Sequence, residues 1–275
     1  MTERLKLACV QMTTRIAPTD NLPVFERLVR QAAADGAIFV ATPEMTGFMD
    51  IRPGGTARNV QSESNDIILT RAIELARELK ITLMIGSLAI KLDDESRSAN
   101  RSFLISPHGQ ILARYDKMHM FDVEVDDGQS YRESKAYKPG DQFAVADTDF
   151  GKIGMSICYD LRFPYLYRAM AMAGADIFTC PAAFTYVTGK AHWHVLLRAR
   201  AIENGSFVIA PAQAGQHEDG RRTFGHSLII APWGEILAEG PEEGEAVITS
   251  EIDLSAVHEA RRRVPSLQHT RDISS

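Results

Sequence analysis

Cys158 opens the segment Cys158-Tyr159-Asp160-Leu161-Arg162-Phe163-Pro164, in which an apolar run gives way at once to polar residues and a proline. A cysteine within a strand is ordinarily a small core hydrophobe, but a thiol beside charged groups at a sheet edge is a candidate for activation. Cys9 and Cys180 have no such company and read as core residues. A carboxylate, Glu44, follows another apolar run in Thr42-Pro43-Glu44-Met45-Thr46-Gly47-Phe48, and Lys117 stands at the end of a third strand-like segment, in Arg114-Tyr115-Asp116-Lys117-Met118-His119. Taken singly, Glu44 would cap a turn and Lys117 would be a solvated surface charge. Brought together, a thiol, a carboxylate and an ammonium are what acyl transfer needs. The attack requires a proton acceptor, the tetrahedral oxyanion requires a cation or N–H donor, and the departing nitrogen requires a proton.

The elements that must position these groups alternate in the manner of a layered α/β fold. Leu5 to Met12 and Ala37 to Thr42 read as strands, separated by an amphipathic helix from Asn21 to Gly36 that ends on a glycine. Asp66 to Lys80 carries a helical apolar stripe, and Ile81 to Leu88 follows as a buried strand. Pro107-His108-Gly109 marks a hairpin between Arg101–Ser106 and Gln110–Arg114. The second half repeats the style, with strands at Lys152–Ile157, Ala175–Thr179, Ser206–Ala212, His226–Ala231 and Ala246–Ile252. Helices are expected at Tyr165–Ala173, Lys190–Asn204 and Leu254–Val264. Cys158, Glu44 and Lys117 therefore each stand just past a strand, the edge where open α/β sheets hold their ligands. The least regular stretch is Lys117 to Gln142, with Asp126-Asp127-Gly128 and Lys138-Pro139-Gly140 as turn signals. A loop of that length inside a compact domain is usually functional or disordered.

Composition narrows the class. The chain has 275 residues, 45% apolar and 24% charged, enough to bury a large core as one domain over residues 1–275. Its net charge of −6, with both signs interspersed, argues against nucleic acid or an anionic membrane as partner. No apolar run reaches membrane-spanning length, and the charged N-terminus does not read as a signal peptide. An odd number of widely spaced cysteines suits a reducing compartment, so a cytoplasmic protein is expected. A thiol redox role would need a resolving cysteine, and no CxxC occurs. No metal or cofactor is implied: His192 and His194 fall on different faces of a helix without a partner at zinc-like spacing, and Gly54-Gly55 lacks the lysine of a phosphate loop.

PEMTGF around Glu44, YDKMHMFD around Lys117 and CYDLRFP around Cys158 resemble, in order and approximate spacing, the Glu-Lys-Cys set of the nitrilase, or carbon-nitrogen hydrolase, superfamily. The similarity extends to AHWHVLLRARAIEN and GHSLIIAPWGEIL and so covers nearly the whole chain. It implies a four-layer α-β-β-α sandwich that commonly pairs into homodimers. It also implies an amidase that releases carboxylate and ammonia through a cysteine thioester, with Glu44 moving protons. The oxyanion would be held by Lys117 and the N–H of Tyr159, and Glu133 matches the family's second glutamate. Tyr159-Asp160 after the cysteine looks like the Nit amidases, whereas nitrilases usually show Trp-Glu there and carbamoylases Asn-Asp. Within that branch the resemblance favours a deaminated glutathione amidase, with ω-amidase action on α-ketoglutaramate as the alternative. Further behind stand an N-carbamoyl amino acid hydrolase and an idle metabolite-binding relative. Arg162 is expected to receive a substrate carboxylate through a bidentate contact, or else to pair with a neighbouring acid. The resemblance sets Phe184 and Thr188 beside the same pocket.

Overall fold

The computed structural model describes residues 4–93, 95–125 and 129–271. The expected turn at Asp126-Asp127-Gly128 lies outside them. The first strand, β1 (Leu5–Gln11), shows how the molecule is layered. Successive strand side chains point to opposite faces. Leu5, Leu7 and Cys9 enter one core and Ala8 and Val10 a second, so the strand is apolar on both sides and must be covered on both.

One six-stranded sheet joins β1 to β2 (Phe39–Ala41), β3 (Thr82–Lys91), β4 (Ser98–Ile105), β5 (Ile111–Asp116) and the late strand β16 (Ala246–Ile252), in the order β16-β1-β2-β3-β4-β5. Strands β6 (Asp122–Val125) and β7 (Gln129–Arg132) form a separate hairpin. The second six-stranded sheet contains β8 (Ala144–Thr148), β9 (Gly151–Met155), β10 (Ile177–Thr179), β11 (Phe207–Ala210), β14 (Leu228–Ile230) and β15 (Ile236–Glu239), in the order β15-β14-β11-β10-β9-β8. A second hairpin pairs β12 (Ala214–Gln216) with β13 (Arg222–Phe224).

Among the described residues, six α-helices complete the layers: α1 (Pro18–Ala34), α2 (Gly55–Asn59), α3 (Ile67–Leu79), α4 (Pro164–Met172), α5 (Tyr186–Asn204) and α6 (Ser255–Arg263). Helices α1 and α3 lay Phe25, Leu28, Ala32, Ile68, Ala72 and Leu75 on the outer face of the first sheet. Helices α4 and α5 lay Leu166, Met170, Trp193 and Leu197 against the second. Leu7, Phe39 and Met84 of the first sheet share a core with Met155, Ile177 and Val208 of the second. The result is the expected α-β-β-α sandwich.

Helix starts differ from the sequence reading by about one turn. Helix α1 begins at Pro18 rather than Asn21, since proline lacks only an N–H that a first turn leaves unused. Asn21 then turns inward, giving an Nδ2–H to the Gly47 carbonyl at 2.9 Å and so tying α1 to the loop that carries Glu44. Helix α5 begins at Tyr186 rather than Lys190. Gly189 obscures that first turn in the sequence, and it is needed there because a Cβ would stand 2.4 Å from the Phe224 Cβ. The expected irregular stretch contains the β6–β7 hairpin and the short 3-10 turn Glu133–Lys135.

Candidate active site

Glu44, Lys117 and Cys158 stand just beyond β2, β5 and β9. Glu44 sits in a tight turn that passes over β3 at Gly86, where the strand register shifts. A side chain at Gly86 would put its Cβ 2.0 Å from the Thr42 carbonyl oxygen and 2.4 Å from that of Pro43, so only glycine lets the turn come this close. Met45 takes a left-handed φ of 56° and gives its N–H to the Ser87 hydroxyl at 2.9 Å, while Gln213 Nε2 donates to the Glu44 backbone carbonyl at 2.9 Å. Cys158 is likewise left-handed, at φ 48°, and opens the 3-10 turn Cys158–Arg162. Such strain persists only where the surroundings over-determine it. Here the Cys158 N–H is anchored on the Pro181 carbonyl at 2.9 Å. Tyr159, second in the turn, leaves its own N–H unused within it.

The three side chains are buried, at 4% exposure for Glu44, 2% for Lys117 and 7% for Cys158. Lys117 Nζ donates to Glu44 Oε1 at 2.9 Å and to both oxygens of Glu133 at 2.9 and 2.8 Å. Glu44 Oε2 accepts the Ala183 N–H at 2.8 Å, and Glu133 Oε2 accepts that of Phe121 at 2.7 Å. Burial works to raise the Glu44 carboxyl, but the adjacent Lys117 ammonium and these hydrogen bonds outweigh it and hold the group below the usual carboxylate range. Burial works to lower Lys117, yet Glu133 and Glu44 keep it firmly charged, well above an ordinary lysine. Cys158 is pushed well above an ordinary thiol, first by burial and then by Glu44, against the opposing pull of Lys117. The resting arrangement is thus a neutral thiol facing an ionised carboxylate. Burial also pushes Cys180 up to about 12 and raises Cys9, so neither is a competing nucleophile.

Above these groups opens a cavity of about 1020 Å³, lined by Glu44, Lys117, Glu133, Cys158, Tyr159, Phe184 and Thr188 among others. Its wall carries eight basic residues against four acidic ones, although the chain as a whole is acidic. Arg162 is not among the lining residues. Its guanidinium rests 3.3 Å from His192 Nδ1 and over the rings of Tyr159 and Phe184, at 5.9 and 5.4 Å, so it backs the cavity wall instead of facing the cavity.

Two groups escaped the sequence reading. Asn100, on β4, reaches both glutamates. Its signal was the polar alternation Ser98-Asn100-Ser102 inside an otherwise apolar strand. Asp160 is completely buried and joins the two loops that deliver Lys117 and Cys158. It accepts the His119 N–H at 3.1 Å, the Tyr115 hydroxyl at 2.7 Å and the Ile157 N–H at 2.8 Å, and it lies 2.6 Å from His119 Nδ1. Elsewhere, His194 does have a carboxylate neighbour: Glu239 Oε1 lies 3.0 Å from His194 Nε2 and 2.7 Å from His226 Nδ1. Sequence spacing conceals this contact because the three residues come from separate elements.

Comparison with known proteins places this geometry in context. The carbon-nitrogen hydrolase family model matches residues 6–262. A deaminated glutathione amidase of Synechocystis sp. is 43% identical over 267 residues, covering 95% of this chain and 96% of that protein. Among solved structures, the C. elegans NitFhit protein superposes with a TM-score of 0.89 at 34% identity, over 98% of this chain and 66% of that one. Saccharomyces cerevisiae Nit3, a member of branch 10 of the nitrilase superfamily, gives 0.86 at 28% identity over 96% and 95%.

Proposed function

The chain belongs to the carbon-nitrogen hydrolase family, and from that premise we propose that it hydrolyses deaminated glutathione through a thioester on Cys158. The observation that carries the reading is the buried ammonium of Lys117 held between Glu44 and Glu133, beside a thiol at the floor of a large cavity. Glu44 takes the Cys158 proton as sulfur attacks the amide carbon. Neutralised, Glu44 loosens its hold on Lys117, which frees an N–H for the developing oxyanion just as that charge forms. The Tyr159 N–H is the second donor; losing one donor of this kind costs about 10²- to 10³-fold. Glu44 then protonates the departing nitrogen. It next deprotonates the water that cleaves the thioester, returning carboxylic product and free thiol. Glu133 keeps Lys117 charged and aimed throughout.

Substrate size and charge favour this member of the branch. Pockets of about 300–1,000 Å³ hold drug-sized ligands, so the 1020 Å³ here is generous for α-ketoglutaramate and suits a tripeptide-like chain. Most of the wall arginines are already ion-paired, so Lys91 and Lys135, for which no ion pair is seen among the described residues, are the wall cations available to a carboxylate on that chain. Phe184 and Thr188 would flank the bound chain, and the wall cations take the role that the sequence suggested for Arg162. In deaminated glutathione the amide nitrogen belongs to a cysteinylglycine unit, so the leaving group is that dipeptide rather than ammonia. The similarity to the deaminated glutathione amidase of Synechocystis sp. supports this choice.

We read the molecule further as one catalytic domain working as a cytoplasmic homodimer. Tyr165, Met172, Val195 and Ile202 are at least half exposed on α4 and α5 and supply an apolar face for pairing. No helix among the described residues is long and apolar enough to cross a membrane. Cysteinylglycine release from deaminated glutathione, set against ammonia release from α-ketoglutaramate, tests the substrate. Preference for the latter would move the assignment to an ω-amidase. A folded Cys158→Ala protein that still turned over either compound would refute the nucleophile.

A further inference from the structure

We infer that Asn100 is a positioning residue that decides which oxygen of Glu44 receives the proton of Cys158, an inference resting on the reading of Glu44 as the base. Asn100 is fully buried in β4. Leu104 of the same strand enters the core between the sheets, whereas Ala99, Phe103 and Ile105 enter the outer one. By the strand's alternation Asn100 shares the face of Leu104, and its Nδ2 donates to Glu44 Oε1 at 2.9 Å and to Glu133 Oε1 at 3.2 Å. Its backbone carbonyl accepts the Lys117 N–H at 2.9 Å, so one residue touches every charged member of the set.

The orientation of the amide follows from its partners. Two carboxylates can only accept, so the NH₂ end must face them. That choice leaves Asn100 Oδ1 buried with no hydrogen-bond partner. Unsatisfied buried acceptors are uncommon, and an apolar residue of similar size would avoid the penalty altogether. The strand therefore keeps a costly group whose two N–H donors are what the site uses.

Counting acceptor positions shows the consequence. A carboxylate oxygen offers two lone-pair directions. Glu44 Oε1 fills both, with Lys117 Nζ and Asn100 Nδ2 each at 2.9 Å. Glu44 Oε2 accepts one bond, from the Ala183 N–H, and keeps one direction open. The thiol proton goes to Oε2, and the carboxyl stays in place while protonated because Asn100 still holds Oε1. Without the amide, Oε1 becomes a second proton site turned toward Lys117, and Glu44 binds protons more tightly in the free enzyme.

Asn100→Ala and Asn100→Ser, which retains at most one donor, test this in purified full-length protein. Folding is checked by circular dichroism. In both variants kcat should fall about ten- to a hundredfold with KM within about threefold, as expected for a lost hydrogen bond to a charged group. The acid limb of the kcat profile should move up by about one pH unit, because a less stabilised carboxylate protonates earlier. If the Ala protein fails to fold, the Ser protein carries the comparison. An unmoved acid limb, or a loss of rate that only tracks the loss of folded protein, overturns the inference. Glu44→Gln measured in parallel separates the two readings. Activity in that variant removes the base assignment itself, whereas an inactive Glu44→Gln beside an unmoved Asn100 profile removes only the role of Asn100.

Discussion

Replacing Lys117 with methionine keeps most of the unbranched side chain, one atom shorter, and removes its charge from between two carboxylates. In the native protein Nζ stands 2.9 Å from Glu44 Oε1 and 2.8 Å from Glu133 Oε2, with Lys117 almost wholly buried. At an effective dielectric constant of about 20, charges about 4 Å apart attract by about 4 kcal/mol. Loss of that attraction is worth roughly a thousandfold in the proton affinity of Glu44, at about 1.4 kcal/mol per factor of ten. Glu133, now an unbalanced neighbour, pushes in the same direction. The sign is set by the native state: Glu44 is held below the ordinary carboxylate range, so its base form persists as pH falls and is lost only on the acid side of that range. In Lys117→Met the base form should be lost at much higher pH. The oxyanion also loses a donor, for a further factor of about 10²–10³. At neutral pH the combined loss in kcat should be about 10³-fold or more, recovering in part as the pH is raised. Steady-state release of the amine product from pH 4 to 10, on protein verified as folded, reads this directly. An acid limb in the wild-type position would show that Lys117 does not hold Glu44 ionised, and the electrostatic account of the site would fall.

The remaining predictions concern the thiol, the Glu44 turn and the cavity wall. Because Cys158 is raised well above an ordinary thiol, its alkylation by iodoacetamide should be slow at pH 7 and still climbing at pH 9; a plateau below pH 8 would reveal a resting thiolate. Gly86→Ala should displace Glu44, since the new Cβ meets backbone oxygens on the neighbouring turn, and overpacking of this kind costs about 1–3 kcal/mol. Unchanged thermal stability together with unchanged kcat would contradict the packing argument. Arg162→Ala should remove cation–π contacts worth about 0.5–2 kcal/mol and slow charged and neutral amides alike. A loss confined to carboxylate-bearing amides would return Arg162 to substrate contact.

Strand alternation and helix periodicity were legible before any coordinates, because both are local consequences of where side chains point. The four-layer sandwich was implied by the family resemblance, and strands apolar on both faces, such as β1, show why each sheet has to be covered on both sides. Elements that failed this test were those without a full apolar face. Edge strands β8 and β15, largely half-exposed, left no clear pattern, nor did the short hairpins. Cys158, Glu44 and Lys117 could be proposed in advance because each stands just past a strand-like segment and because the motifs around them resemble the Glu-Lys-Cys set of the carbon-nitrogen hydrolases.

Sequence alone thus determined the alternation of strands and helices and the reactive residue types at their ends. Only the tertiary structure decided which groups meet. Asn100 joins Glu44 across 56 residues and Ala183 joins it across 139, distances over which no local pattern carries information. The same long-range packing turned Arg162 onto His192 and two aromatic rings. It also made Cys158 a neutral thiol, because burial and the field of a distant carboxylate set its proton affinity. Proton affinity belongs to an environment, and in this protein that environment is assembled from segments that the chain holds far apart.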